Sequence, residues 1–217
     1  MLASDKQKAS LIDLFRRAKK TTYTKGEFII RPGETPPGIL FIDSGLVKAY
    51  DITKYGEENL LVIRKAGEFL GITWAITGED RKIIYTALEP TAVYCIDRET
   101  FLKDIQSDPN LSLPIVDMVT EMYKNHSERI LNLEYRTVRE RLISYLLTCA
   151  ERFGEKLDDS GAISISVPLR QQDIASSINA TRETTGRQLA ILERQKLISK
   201  HNSYILLINP EKLRNFL

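Results

Sequence analysis

Residues 169–198 read LRQQDIASSINATRETTGRQLAILERQKLI. Leu169, Ile174 and Ile178 recur at helical spacing, which predicts a short helix turning these three inward. Asn179-Ala180 makes a tight turn, and Thr181 can N-cap a second helix by accepting a backbone N–H of its first turn. Small Ala175 lets the two helices approach closely, while Thr185, Leu189 and Leu192 supply the apolar face of the second. This is helix-turn-helix spacing. The opposite face carries Arg182, Glu183 and Arg187 in the first turns, where a recognition helix in the major groove presents base-reading side chains. Arginine can fork onto guanine O6 and N7, and a carboxylate can accept from cytosine N4. A solvated face also holds Arg and Glu, so charge has to be weighed with spacing. Residues 169–217 hold 8 Lys+Arg against 4 Asp+Glu, net +4, whereas 1–168 hold 23 against 25, net −2. The basic surplus sits in the segment that would meet phosphate. Residues 196–208, which follow, look like a β-hairpin wing.

Upstream, Gly154–Gly161 is polar and turn-rich and Ile163–Val167 alternates like a strand. Between Leu113 and about Phe153 there is no glycine, and the only proline is Pro114, near the start. A long helix followed by a second is expected. Val116, Val119, Tyr123, His126, Ile130, Leu133 and Thr137 recur with spacings alternating 3 and 4, a heptad seam that suits an identical partner helix. Ile115, Met118, Met122 and Arg129 form a second stripe, suited to packing on the chain's own barrel. Leu111–Arg136 would span about 40 Å at about 1.5 Å per residue. Leu142, Tyr145, Leu146 and Cys149 begin a new stripe, placing a hinge near Thr137. A two-fold homodimer would hold two recognition helices about one turn of DNA apart and read a palindromic operator on double-stranded DNA.

Eight of the eleven glycines fall between Gly26 and Gly78 and separate short apolar or alternating runs. About eight strands at near-regular spacing predict a jelly roll or small barrel. Ahead of it, Leu11, Leu14, Phe15 and Ala18 mark a helix over Lys6–Lys20 on the barrel's outside. The fold class expected is α+β: an N-terminal β-jelly-roll barrel (1–108), a dimerisation helix and hinge (109–137) and a C-terminal winged helix-turn-helix (138–217).

The 217 residues are 42% hydrophobic and 28% charged with a formal net charge of +2, enough apolar content for a core and too balanced for a polybasic chain. No apolar run approaches the ~20 residues of a membrane span, and the N-terminus lacks the apolar stretch of a secretory signal, so a cytoplasmic location is expected. Two cysteines, Cys95 and Cys149, and two histidines, His126 and His201, supply neither an iron–sulfur cluster nor a His-rich metal site. No metal and no cofactor is expected. A jelly-roll oxygenase would need clustered His and carboxylate ligands on its barrel, and the barrel holds no histidine. An enzyme is not expected.

Across nearly the whole chain the sequence resembles the cyclic-AMP receptor protein and fumarate-nitrate regulator (Crp/Fnr) superfamily of bacterial transcription regulators. The resemblance rests on Gly33, Gly45, Gly56, Gly67 and Gly71 at barrel turns, on Asn132-Leu133 and Arg141, and above all on the recognition-helix segment 181–198. It implies a cyclic-nucleotide-binding-like barrel, base reading by Arg182, Glu183 and Arg187 on a half-site similar to TGTGA, and phosphate contacts from Gln171, Gln172, Thr181 and Thr184. It also implies that the turn Thr53–Glu58 and the segment Gly154–Gly161 face RNA polymerase.

Where the family's cyclic-nucleotide sites use Gly-Glu and Arg-[Ser/Thr]-Ala, this chain is read as having Gly71-Ile72 and Tyr85-Thr86-Ala87. A phosphate buried without its cation would carry a large desolvation penalty, so cyclic AMP is not the expected effector. By the resemblance, Gly71, Ile72, Thr73, Trp74, Ile84, Tyr85 and Thr86 would line the barrel side of an effector site, closed by Met122, Tyr123, His126 and Ser127. Two aromatic rings, hydroxyls and an imidazole suit a small aromatic or organic acid, with Arg81 and Lys82 as counter-charges. The Gly71–Thr91 stretch is weakly similar to halorespiration regulators. The same aromatic residues also suit core packing with a collapsed pocket, and a constitutive, effector-independent regulator of the same fold is the alternative. Haem is disfavoured because no His or Cys falls in Trp74–Thr86.

Overall fold

Ser4 opens the first helix of the computed structural model, α1 (Asp5–Arg16), with a capping box: its hydroxyl accepts the Gln7 N–H while the Gln7 side chain accepts the Ser4 N–H. The structure describes residues 1–79, 82–157 and 161–217. They form two compact units, Met1–Asn125 and His126–Leu217. Sequence periodicity carries α1 on to Lys20, but the helix stops at Arg16 and Lys19–Tyr23 is strand β1. Thr21, Thr22 and Tyr23 favour the extended backbone, and pairing with a neighbouring strand overrides the helical pattern.

The remaining strands of the first unit are β2 (Phe28–Ile30), β3 (Ile39–Ser44), β4 (Leu46–Ile52), β5 (Glu58–Lys65), β6 (Phe69–Leu70), β7 (Ile84–Ala87) and β8 (Thr91–Ile96). They build two antiparallel sheets in the orders β1-β8-β3-β6 and β2-β7-β4-β5. One core cluster joins the sheets: Leu40, Ile42, Leu70 and Val93 of the first meet Ile29, Ile30, Val47 and Ala87 of the second. Side chains alternate along a strand, so Ile39 and Phe41 of β3 fall in a second cluster. There Leu11 and Phe15 of α1 join Phe101 of α3 (Arg98–Ser107) and Leu111 and Ile115 of α4 (Pro109–Tyr135). Phe15 is fully buried at its centre, with ring centroids 4.8 Å from Phe69, 5.9 Å from Phe41 and 6.0 Å from Phe101. With both its faces covered, β3 reads as the unbroken apolar run Ile39–Ile42.

The 27-residue α4 begins earlier than its glycine-free run suggests. Pro114 therefore lies in its second turn, where the ring leaves the Asn110 carbonyl without its intrahelical donor. Ile115 is buried and Met118 and Met122 pack on the Phe15 cluster, as the second sequence stripe predicts. The heptad stripe lies open: Val116, Val119, Tyr123 and Ile130 are exposed. The units divide at Asn125/His126 within this helix, because its first half packs on the barrel.

In the second unit Thr137 caps α5 (Val138–Phe153), with Glu140 completing the box, so the chain starts a new helix at the expected hinge. Then come β9 (Gly154–Lys156), β10 (Ile163–Ile165), α6 (Gln171–Ser177), α7 (Arg182–Arg194), β11 (Ile198–His201), β12 (Tyr204–Leu207) and α8 (Pro210–Arg214). The sheet order is β11-β12-β10-β9. Part of the segment expected as a polar loop is thus a strand, Gly154 pairing with Ile165; residues 158–160 of it lie outside the described residues. β11 and β12 form the wing. α5 packs against α6, α7 and α8.

Candidate nucleic-acid interface and effector region

Every residue assigned inward from the helix-turn-helix spacing is buried: Leu169, Ile174, Ala175, Ile178, Thr185, Leu189 and Leu192. Between the helices Asn179 adopts a left-handed φ of 49°, a conformation asparagine tolerates better than most residues, and the Ala180 N–H donates to the Ala175 carbonyl at 3.0 Å. The Thr181 hydroxyl accepts the Thr184 N–H at 3.1 Å, the cap the sequence predicts. Arg170 grips buried Asp173 through two bonds of 2.7 and 3.0 Å, fixing the first turn of α6.

Arg182, Glu183 and Arg187 are all exposed on the first turns of α7. Arg187 does not wave freely, because its Nη2 donates to the Thr184 hydroxyl at 3.1 Å, which in turn lies 3.0 Å from the Thr181 hydroxyl. Thr181 and Thr184, expected at phosphate, thus brace an arginine expected to read bases. Gln172 is half-buried on α6. Gln171 behaves differently: its Nε2 donates to the Arg182 carbonyl at 2.6 Å.

The expected hinge is tied on both sides. Asn132 Nδ2 donates to the Ser144 hydroxyl at 3.1 Å, joining the end of α4 to α5. Arg141 reaches the Leu133 carbonyl with Nη1 and the Asn179 carbonyl with Nη2, each at 3.4 Å. Arg139 Nη2 donates to Gln195 Oε1 at 2.7 Å, just past α7.

The effector residues read from the sequence are only partly brought together. Gly71, at φ 81°, starts the short helix α2 (Ile72–Thr77). Ile72 is buried in the Phe15 cluster, where Trp74 and Met122 also pack. Tyr85 packs instead on the core between the sheets, and Ile84 is buried. Thr73 and Thr86 are half-buried, and the Thr86 hydroxyl lies 3.5 Å from that of Tyr50. On α4, Tyr123 and His126 are exposed and Ser127 is half-buried. Lys82 is exposed, and Arg81 lies outside the described residues. Sequence reading passed over Lys48, the one buried lysine or arginine among the described residues, 4% exposed. Its Nζ lies 2.6 Å from Glu58 Oε2 and 4.9 Å from the Tyr50 ring centroid, and its register partner across the sheet is Thr86. A lysine inside the apolar run Leu46–Tyr50 was the available signal.

Burial pushes the Cys149 thiol up to about 12 and raises that of Cys95. Among the described residues no group of three His, Cys, Asp or Glu is placed to hold a metal ion, and no helix is long and apolar enough to cross a membrane.

Comparison with known proteins fits this geometry. Residues 140–216 match the Crp-like helix-turn-helix domain and residues 20–108 the cyclic nucleotide-binding domain. The chain thus carries the two domains of the Crp/Fnr family of DNA-binding transcription regulators. The fumarate and nitrate reduction regulatory protein of Vibrio cholerae is 27% identical over 90% of this chain and 77% of its own length. Among solved structures, a CooA variant from Carboxydothermus hydrogenoformans has a TM-score of 0.76 at 22% identity, over 94% of this chain and 89% of that one. A CprK variant complexed with OCPA has a TM-score of 0.67 at 21% identity, over 96% and 93%. At such identities the structural neighbours attest the fold alone.

Proposed function

We propose that this chain is a cytoplasmic, non-enzymatic regulator that binds a palindromic, TGTGA-like operator as a homodimer and is gated by a small molecule other than cyclic AMP. The observation that carries the DNA reading is the exposed trio Arg182, Glu183 and Arg187 on a capped helix whose other face is locked into the second unit. Arg182 and Arg187 fork onto guanines and Glu183 accepts from cytosine, while Gln172, Thr181 and Thr184 approach phosphate. The exposed residues Val116, Val119, Tyr123, His126 and Ile130, with half-buried Leu133, take the partner helix. Residues 1–108 sense, 109–137 pair and turn, and 138–217 grip the duplex. The turn at Thr53–Glu58 and the segment 154–161 are offered to RNA polymerase. The test is fluorescence anisotropy on a TGTGA inverted repeat against a scrambled duplex, with mass measured in parallel. Equal affinity for both duplexes overturns the reading.

The effector is proposed to be an aromatic or other organic acid met by barrel residues. Ile72 is apolar and buried, which suits no ribose hydroxyl, and Lys48, beside the hydroxyls of Tyr50 and Thr86, would meet an acid in exchange for the Glu58 carboxylate that it now holds at 2.6 Å. The solved CprK complex with OCPA shows a ligand carried on this fold. Ligand acts only by favouring one of two arrangements of the paired helices, and the Asn132–Ser144 and Arg141 ties transmit the change to the helix-turn-helix. Thermal shift with a panel of aromatic acids and with cyclic AMP tests this. A ligand at a hundred times its dissociation constant adds about 2.7 kcal/mol. Stabilisation by cyclic AMP and by none of the acids refutes the assignment, while no response to either favours constitutive action.

A further inference from the structure

Glycine in the middle of a helix costs about 1 kcal/mol relative to alanine, yet Gly186 occupies the fifth of the thirteen positions of α7. Its surroundings account for this. A Cβ built on Gly186 would run into Nε2 of Gln171, with Cδ at 3.3 Å and Oε1 at 3.6 Å. The Nε2 end of the Gln171 amide, from the first position of α6, therefore lies against the bare α-carbon of Gly186 in α7. From there its Nε2 donates to the Arg182 carbonyl at 2.6 Å. The same amide thus meets α7 at both ends of one turn, Arg182 to Gly186, with Glu183 inside it and Arg187 just after it.

We propose that Gln171 and Gly186 form a clamp that sets the pose of the recognition helix, making Gln171 a positioning residue for base reading instead of a phosphate contact. The inference rests on the DNA reading above. Arg182 projects from the residue whose carbonyl the clamp holds, and Arg187 follows Gly186 directly while leaning on Thr184. A bidentate arginine–guanine pair needs both nitrogens aligned at once. A small rotation of α7 about its axis would cost specific sites their alignment, while random DNA, bound through phosphate, would lose little.

The two roles of Gln171 separate by experiment. Gly186→Ala improves helix propensity, so it should fold with unchanged or higher Tm, and its methyl displaces the amide. Gln171→Ala removes the donor without adding bulk. Each variant should lower the ratio of affinities for a TGTGA inverted repeat over random duplex by on the order of tenfold, and the double variant should lose no more than either single one. Equal loss on both duplexes in Gln171→Ala would instead identify a phosphate contact and overturn the clamp. A second readout needs no DNA. In the free protein the Gln171 side-chain NH2 should give a shifted NMR resonance with slowed solvent exchange, restored to free-amide behaviour by Gly186→Ala. A free-amide resonance in the unsubstituted chain defeats the clamp whether or not the operator is selected. Failure of the unsubstituted chain to prefer the inverted repeat defeats the DNA reading alone.

Discussion

At the scale of single residues, the exposed arginines of α7 and the buried thiol of α5 lead to separate expectations. Arg182→Ala or Arg187→Ala should weaken binding to a TGTGA inverted repeat by about 1–3 kcal/mol and binding to random duplex by much less, as a competition anisotropy titration would show. Unchanged affinity for both duplexes would remove these residues from base reading. Cys149 concerns stability. Its folded thiol titrates at about 12 because burial disfavours the thiolate, whereas an unfolded cysteine ionises near ~8.5. The folded chain keeps a proton that the unfolded chain releases, so this stabilisation is complete below the unfolded value and is lost as pH climbs toward the folded one. The loss approaches about 1.4 kcal/mol per pH unit in that window. Burial raises Tyr145, in hydrogen-bond contact with Cys149 and Ser177, in the same sense. Urea unfolding between pH 8 and 10.5 should show a shallower decline in Cys149→Ser than in the unsubstituted chain; parallel declines would mean the thiol is open to water.

At the scale of elements, caps and clusters decide where helices begin and what holds them. Thr137→Ala removes the hydroxyl that accepts the Glu140 N–H and should cost about 0.5–2 kcal/mol in chemical denaturation. Phe15→Ala empties the centre of the four-phenylalanine cluster and should cost about 3–5 kcal/mol; a loss below 1 kcal/mol would mean that α1 is not needed to cover the first sheet. Such elements differ in how visible they are along the chain. The helix-turn-helix was legible because Ile174 and Ile178, then Thr185, Leu189 and Leu192, keep helical spacing on either side of a left-handed turn. The two stripes of α4 were legible because Ile115, Met118 and Met122 are apolar where they pack on the Phe15 cluster, and Val116, Val119, Tyr123 and Ile130 are apolar on another face that stays exposed. α2 was not, since six residues between the left-handed glycines Gly71 and Gly78 read as a turn. β9 was not, because all three of its residues are exposed and carry no alternation. Within the candidate interface, the outward arginines announce themselves by charge. The inward use of Gln171 is silent, because a neutral amide leaves no periodic trace and only mid-helix Gly186 hints at it. The effector residues were grouped by analogy of position, but Ile72 starts α2 and packs in the Phe15 cluster, whereas Tyr85 on β7 packs on the core between the sheets.

At the scale of the whole molecule, the long helix bears the heaviest expectation. Ile130, 61% exposed, and Tyr123, 74% exposed, lie on an apolar stripe that water penalises. Ile130→Asp should convert a dimer to single chains in light scattering, and operator binding should fall with it while the far-ultraviolet spectrum stays unchanged. A variant that remains paired would move the interface elsewhere. The bare stripe also sets how the protein answers to its own abundance. If two chains must meet before both half-sites can be held, doubling the supply of chains roughly quadruples the competent pairs while unpaired chains predominate. A gene under such control would respond to regulator dosage steeply even before any metabolite arrives.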